Sequence, residues 1–426
     1  MTTDTKTVNL NLLRKKPLNE LHQLCQDAQV PLQSRPSRSD LSFQLAKFYH
    51  EQGNELEIVG VLQKMDDGYG FLRSLESFKP GLDDIYVSQK IVNKFHLRSG
   101  DTVKGKLRLP RERERYLALT TVEEINFLPP EKNISQYADS ERQAYFPVEW
   151  LKLEQGNGTR DDLTGRIIDM VSPVGKGQRS LIVSPPKAGK TMMLQQIAKS
   201  ILTNNPECHV FVLLIDERPE EVTDFERNVN AEVIASTFDE LPQSHVQKAE
   251  LVLSRAKRLA NAGHDVVILM DSLTRLARAY NTLTPASGKI LTGGLDANAL
   301  QRPRRFFSAA RNIEGAGSLT IIATALVDTG SKMDEVIYEE FKGTGNHEIH
   351  LSRQMTSKLI YPAIQISQSG TRREEKLVPE DYLNNSHVLR RYLATMDDMA
   401  ALEFLLDRMK ASKTNDEFFN NMRKRT

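Results

Sequence analysis

Apolar positions along the chain change their spacing twice, dividing it into three kinds of structure. Up to residue 52 they recur at helical intervals: Leu10, Leu12 and Leu13, then Leu18, Leu21 and Leu24, then Leu41, Phe43, Leu45 and Phe48. Residues 34–40 read as the turn before the last of these helices, with Ser39 or Asp40 as its N-cap. Residues 1–52 are therefore expected to be a small helical subdomain, too short to bury much surface alone. From 53 to 130 the pattern becomes short β runs at 57–62, 69–73, 85–87, 101–107 and 116–119, separated by Gly, Asp and Pro. Five such runs predict a small barrel of the oligonucleotide-binding or cold-shock type. Residues 131–160 are polar, close on Gly156-Asn157-Gly158 and read as a linker. From 161 to 426 strand and helix patterns alternate, and 210–215, 266–270 and 319–326 are continuous apolar runs. That combination predicts an α/β domain with a mostly parallel buried sheet.

Composition narrows the class without choosing the chemistry. The 426 residues are 39% hydrophobic and 27% charged, which suits two or three globular domains. A net charge of +1 excludes a polycation, so affinity for nucleic acid has to come from local patches. Cys25 and Cys208 stand far apart and imply neither a disulfide framework nor a cysteine zinc site. No apolar run approaches a membrane span and the first residues lack a signal-peptide core, so a soluble, cytoplasmic protein is expected.

Chemistry enters where the strand 181–184 breaks into Pro185-Pro186-Lys187-Ala188-Gly189-Lys190-Thr191 and a helical pattern resumes. A phosphate chain needs converging backbone N–H groups, a helix N-terminus and a mobile cation. Gly189 lets the backbone approach, Lys190 can reach the β- and γ-phosphates, and the Thr191 hydroxyl can ligate Mg²⁺. The strict phosphate-loop pattern has glycine where this chain has Ser184. The three apolar runs end at Asp216-Glu217-Arg218, at Asp271 and near Asp328, and chemistry in open α/β sheets gathers at such strand ends. Asp271 suits a Mg²⁺ carboxylate beside Thr191. Glu217 suits activation of the attacking water, on a strand expected next to the phosphate-loop strand. The competing reading makes Glu217 a helix-cap carboxylate ahead of Pro219-Glu220-Glu221. The loops carrying Lys289 and Lys332 either meet the phosphates of a polymer or are plain surface.

In the barrel region, Gly68-Tyr69-Gly70-Phe71-Leu72-Arg73 puts two rings and a cation two residues apart on one strand. Bases stack on flat apolar rings, and a nearby cation holds their phosphate. The rings either fill the barrel core or stand exposed, and the glycines with Arg73 favour exposure. Tyr86 and Tyr116 extend such a platform, and Arg108, Arg111, Arg113 and Arg115 lie close by in sequence.

The segments 68–73, 185–191, 216–223, 271–280, 285–298 and 328–336 together resemble the Rho family of bacterial transcription termination factors, and the resemblance covers nearly the whole chain. It implies a homohexameric, RNA-dependent ATPase and helicase with a RecA-type motor, using ATP and Mg²⁺ to move along C-rich single-stranded RNA and release transcripts from RNA polymerase. By resemblance, Gly68 to Arg73, Asp84, Ile85, Tyr86, Glu114, Arg115 and Tyr116 form the primary RNA site, and Lys289 and Lys332 a secondary site inside the ring. Gly175, Lys176, Gly177, Gln178, Arg179, Ser180, Lys187, Ala188, Met192, Arg218 and Tyr361 fall at nucleotide-contacting positions, with Met192 and Tyr361 on the adenine. Arg372 falls at the position of an arginine finger offered to the neighbouring subunit. Leu359 departs from the family, where a basic residue is expected. Two rivals remain: a rotary or secretion-type ATPase that moves protons or protein, and an RNA-binding module whose ATP site only regulates.

Overall fold

The computed structural model describes residues 7–32, 34–75, 78–132, 143–285, 288 and 290–423. They form two compact units, one of residues 1–141 with 253–262, the other of 142–252 and 263–426.

In the first unit β2 (Glu55–Lys64), β3 (Gly70–Arg73), β4 (Ile85–Val87), β5 (Thr102–Arg108) and β6 (Leu117–Ile125) close into a barrel in the order β2-β3-β4-β6-β5-β2. A short strand β1 (Thr7–Asn9) adds to β2 in parallel. Ile58, Leu62, Leu72, Ile85, Val103 and Leu117 fill the inside, and the same core continues into Leu13, Leu21, Leu41 and Leu45 of the preceding helices. The segment 1–52, expected as a subdomain of its own, thus shares the barrel's core. The Asn11 amide reinforces this by donating to Val59 O (2.7 Å) and accepting from Val59 N (2.8 Å). The N-cap of the third helix is Ser37, not Ser39 or Asp40. Asp40 is the reciprocal partner three residues in, with Asp40 N donating to Ser37 Oγ (3.2 Å) and Ser37 N to Asp40 Oδ2 (2.8 Å).

The second unit is built on a sheet whose main path runs β10-β9-β11-β15-β8-β16-β17. These strands are β8 (Arg179–Ser184), β9 (His209–Glu217), β10 (Glu232–Thr237), β11 (Asp265–Asp271), β15 (Ser318–Leu326), β16 (His347–Leu351) and β17 (Ile364–Thr371). All neighbours on this path are parallel except β16 and β17. β9 is not beside β8: β11 and β15 lie between them, because the chain crosses over before returning to fill the middle of the sheet. β14 (Arg311–Ile313) pairs antiparallel with the start of β15 and with β7 (Ala144–Tyr145), and β12 (Ile290–Leu291) pairs with β13 (Leu295–Asp296) apart from the sheet. Of the stretch expected as a linker, residues 143–160 belong to this unit. Leu151 and Leu153 are fully buried, and Leu153 N and Glu154 N donate to Asp169 Oδ2 (3.0 and 2.8 Å). No described helix is long and apolar enough to cross a membrane.

Candidate active site and nucleic-acid interface

At the carboxyl end of β8 the chain turns through 185–189 into the helix Lys190–Asn204. Gly189 has φ +86°, a left-handed conformation that strains any L side chain. Ala188 is buried, while Lys187 is exposed. Lys190 Nζ lies 2.9 Å from Glu217 Oε1 and also contacts Asp271 Oδ2. Burial alone would lower the Lys190 pKa, but Asp271 and Glu217 outweigh it and raise it, so the ammonium stays charged. Asp271 in turn accepts from Thr324 Oγ1 at 2.7 Å. Glu217 is 1% exposed. Its Oε1 is 3.2 Å from Arg275 Nη1, and its buried Oε2 has no hydrogen-bond partner. A buried carboxylate oxygen left unpaired is costly, and a reaction site is one place where such a group persists. Thr191 is the second residue of the helix Lys190–Asn204 and is half-buried. This donor set fits a magnesium nucleoside triphosphate, with carboxylate and hydroxyl oxygens for the ion and a cation with helix N–H groups for the phosphates.

Beside the loop lies a cavity of about 420 Å³ bounded by Arg160, Gly189, Met192, Gln196 and Tyr361. Met192 is exposed and Tyr361 half-buried, so a flat base has an apolar surface on which to rest. Arg218 stands exposed next to Glu217.

The structure does not bring residues 175–180 to this loop. They lie at the opposite, amino end of β8. Burial alone would lower the Lys176 pKa, but its hydrogen bonds to Asp265 (2.8 Å), Glu149 (2.5 Å) and Glu207 (3.0 Å) outweigh that and raise it. Gly177 N donates to Thr320 Oγ1 (2.8 Å), and the Gln178 amide to Asn346 Oδ1 (2.9 Å). Ser180 Oγ pairs with His347 Nδ1 at 2.5 Å. The Arg179 pKa is lowered by burial first and then by its neighbours Arg311 and Arg372. Arg372, whose N–H donates to Asn346 O (2.9 Å), is exposed at this same end. It is remote from Lys190 of its own chain, since the six residues of β8 separate the two ends by roughly 20 Å.

Lys332 is exposed in the first turn of the helix Lys332–Lys342. Lys289 lies outside the described residues. Arg275 is a site residue that periodicity did not mark. Its Nη1 reaches Asp216 O as well as Glu217, and its only sequence signal is a place one turn into the helix that follows Asp271. One turn further, Arg278 donates to Asp334 (2.8 and 2.6 Å), which also accepts from Thr329 Oγ1 (2.6 Å).

In the first unit four rings gather on the outside of the barrel. Phe71 is 5.0 Å from Tyr116 and 6.1 Å from Tyr86, and Tyr69 is 5.8 Å from both Phe71 and Tyr86, centroid to centroid. All four are half-buried, while the intervening Leu72 and Ile85 point into the core. Gly70 is required by contact, since a Cβ there would sit 2.7 Å from Leu62 Cδ1 and 2.9 Å from Gln63 O. Arg73 is not the exposed cation the alternation suggests. Its guanidinium is buried in an ion pair with Asp84 and donates to Gln63 Oε1 (2.8 Å), with Cζ 5.3 Å from the Phe71 ring centroid. Glu114 takes two bonds from Arg108 (2.5 and 2.9 Å) and one from Arg111 N (2.9 Å). Arg115 Cζ lies 5.8 Å from the Tyr116 ring centroid.

A phosphate loop with acidic residues at the ends of neighbouring strands, joined to a barrel with an aromatic outer face, defines a P-loop ATPase carrying an oligonucleotide-binding module. Comparison with known proteins agrees in both halves. Residues 165–371 match the nucleotide-binding domain of the ATP synthase alpha/beta family, and residues 58–131 the RNA-binding domain of Rho termination factor. Transcription termination factor Rho of Pseudomonas aeruginosa is 56% identical over 98% of this chain and all of its own length. The Escherichia coli factor is 52% identical with the same coverage. The chain belongs to the Rho family of transcription termination factors. Among solved structures, an ATPase from the type III secretion system of pathogenic bacteria shares the fold at TM-score 0.55 and 21% identity, over 67% of this chain and 86% of its own. The ATP synthase subunit NeqB does so at TM-score 0.51 and 21% identity, over 63% and 68%.

Proposed function

We propose that this protein terminates transcription as an RNA-dependent ATPase, gripping single-stranded, C-rich RNA on the barrel and hydrolysing ATP at the β8 loop to translocate along it. The observation that carries the ATPase assignment is the buried, unpartnered Oε2 of Glu217, whose other oxygen is held by Lys190 and Arg275. A carboxylate fixed in this way can accept a proton from water while Lys190 faces the phosphates. Thr191 and Asp271 would hold Mg²⁺, which supplies charge neutralisation on the phosphates. Met192 and Tyr361 would pack on the adenine.

Arg372 serves the site of a neighbouring subunit, a role supported by its distance from Lys190. Of residues 175–179 only Arg179 is not fully buried, and it lies near Arg372 at the amino end of β8. On this reading the subunits assemble as the family's homohexameric ring, with Lys332 assigned to RNA in its channel and Lys289 assigned to the same RNA site by resemblance alone. One helix, Leu273–Leu283, carries both Arg278, which pairs with Asp334 next to the Lys332 loop, and Arg275, which meets Glu217, and movement of that helix is the proposed route from RNA to the hydrolytic carboxylate. RNA polymerase is the partner from which transcripts are released, and the cytoplasm the place. The secretion-type rival shares only the fold, and its class offers no reason for four clustered rings on the barrel.

The test is steady-state ATP hydrolysis with and without polycytidylate. Turnover is expected to rise by at least about tenfold with RNA, and the RNA needed for half-stimulation to rise when Tyr69 and Phe71 are both replaced by Ala. Turnover indifferent to RNA would remove the proposal.

A further inference from the structure

The loop between β5 and β6 carries an arginine in a conformation that arginine avoids. Glu114 N donates to Arg111 O (3.0 Å), closing a four-residue turn, and Arg113 at its third position has φ +73°. That position favours glycine or asparagine, so an arginine there is strained. Strain held in a surface loop points to use of the side chain. The charges around it are divided unevenly. Arg108 is engaged by Glu114, whose pKa is lowered to about 2 chiefly by that bond and by Arg111 N. Arg115 lies against the Tyr116 ring. Arg111 and Arg113 are exposed, and among the described residues their guanidinium groups make no ion pair or hydrogen bond. Glu112 is the one acidic residue of the turn not tied to an arginine. The Arg108–Glu114 pair and the Arg111 N bond hold the turn in place three residues from Tyr116, at the edge of the ring cluster.

We propose that Arg113, with Arg111 beside it, is a phosphodiester-binding element that grips the RNA backbone next to the base stacked on Tyr116. This rests on the reading of the four rings as an RNA platform and adds to it a contact that carries charge but no base preference. Such a contact releases a counterion, so it shows in the salt dependence of binding.

The test is anisotropy of a dye-labelled oligocytidylate with the full-length protein, without nucleotide, across a salt series. Arg113→Gln keeps the strain and removes the charge. Its log–log salt slope should be shallower by about 0.7, with affinity about three- to tenfold weaker at 0.1 M salt. Arg113→Gly should weaken RNA equally while its urea midpoint rises or holds, because the backbone strain is relieved. Arg113→Lys should retain the slope. Slopes for the Gln and Gly variants equal to wild type, while Tyr69→Ala/Phe71→Ala binds more weakly, would show Arg113 to be a solvated turn residue. If the ring variant binds normally and Arg113→Gln does not, the arginine contact stands and the platform reading falls. If neither variant changes binding, both fall.

Discussion

At the residue scale, the reaction site depends on how one carboxylate is held. Glu217 is buried, shares one oxygen with two cations and keeps the other free of partners. Replacing it by Gln preserves shape and removes basicity. RNA-stimulated turnover should fall by at least about 10²-fold while ATP binding, followed by a fluorescent analogue, changes little. Near-normal turnover would take Glu217 out of the hydrolytic role. Arg73 shows the reverse relation between sequence and role. Alternation puts it on the ring face, but its guanidinium is spent on Asp84 and Gln63. Burial of both partners explains this, since an arginine 6% exposed has to be paired. Arg73→Met should cost about 3 kcal/mol in urea unfolding by stranding Asp84, and leave the salt slope of RNA binding unchanged. A shallower slope with undiminished stability would mean that the guanidinium meets phosphate after all.

At the scale of elements, β16 and β17 extend the sheet beyond β8, and the hydropathy pattern did not announce them. Their junction with β8 is fastened by His347, which is fully buried. Its Nε2 donates to Ser172 O (2.8 Å), so Nδ1 accepts from Ser180 Oγ. Burial lowers its pKa from 6.5 to about 4. The neutral ring is therefore favoured by folding. That contribution is complete above pH 6.5 and is lost as pH falls toward 4, about 3 kcal/mol in all and about 2 by pH 5. Urea midpoints at pH 7.5 and 5 should differ less in His347→Gln than in the parent; equal differences would mean that other groups govern the acid loss.

At the scale of the whole molecule, Lys190 and Arg372 lie toward opposite ends of one sheet, and the proposed role of Arg372 as a neighbour's finger requires two chains for a complete site. Subunits carrying Glu217→Gln and subunits carrying Arg372→Ala should each be inactive alone. Rings that mix them regain some turnover, because an intact loop then meets an intact finger at a fraction of the interfaces. A mixture as inactive as either parent would place the arginine's role within its own chain.

The local features were legible in the linear pattern. They include the five barrel strands, the phosphate loop, the three apolar strands ending in Glu217, Asp271 and near Asp328, and the rings at 69 and 71. Each depends on spacing within a few residues, which periodicity and turn chemistry report directly. Other features depended on segments far apart in sequence. The insertion of β11 and β15 between β9 and β8, the shared core of helices and barrel, and the burial of Leu151, Leu153 and Glu154 could not be read that way. Nor could the pairing of Arg73 with Asp84, or the placement of residues 175–180 with Arg372 rather than with their own loop. Such contacts are chosen by which surfaces exclude water together once the chain is compact, and a one-dimensional pattern carries no record of that choice.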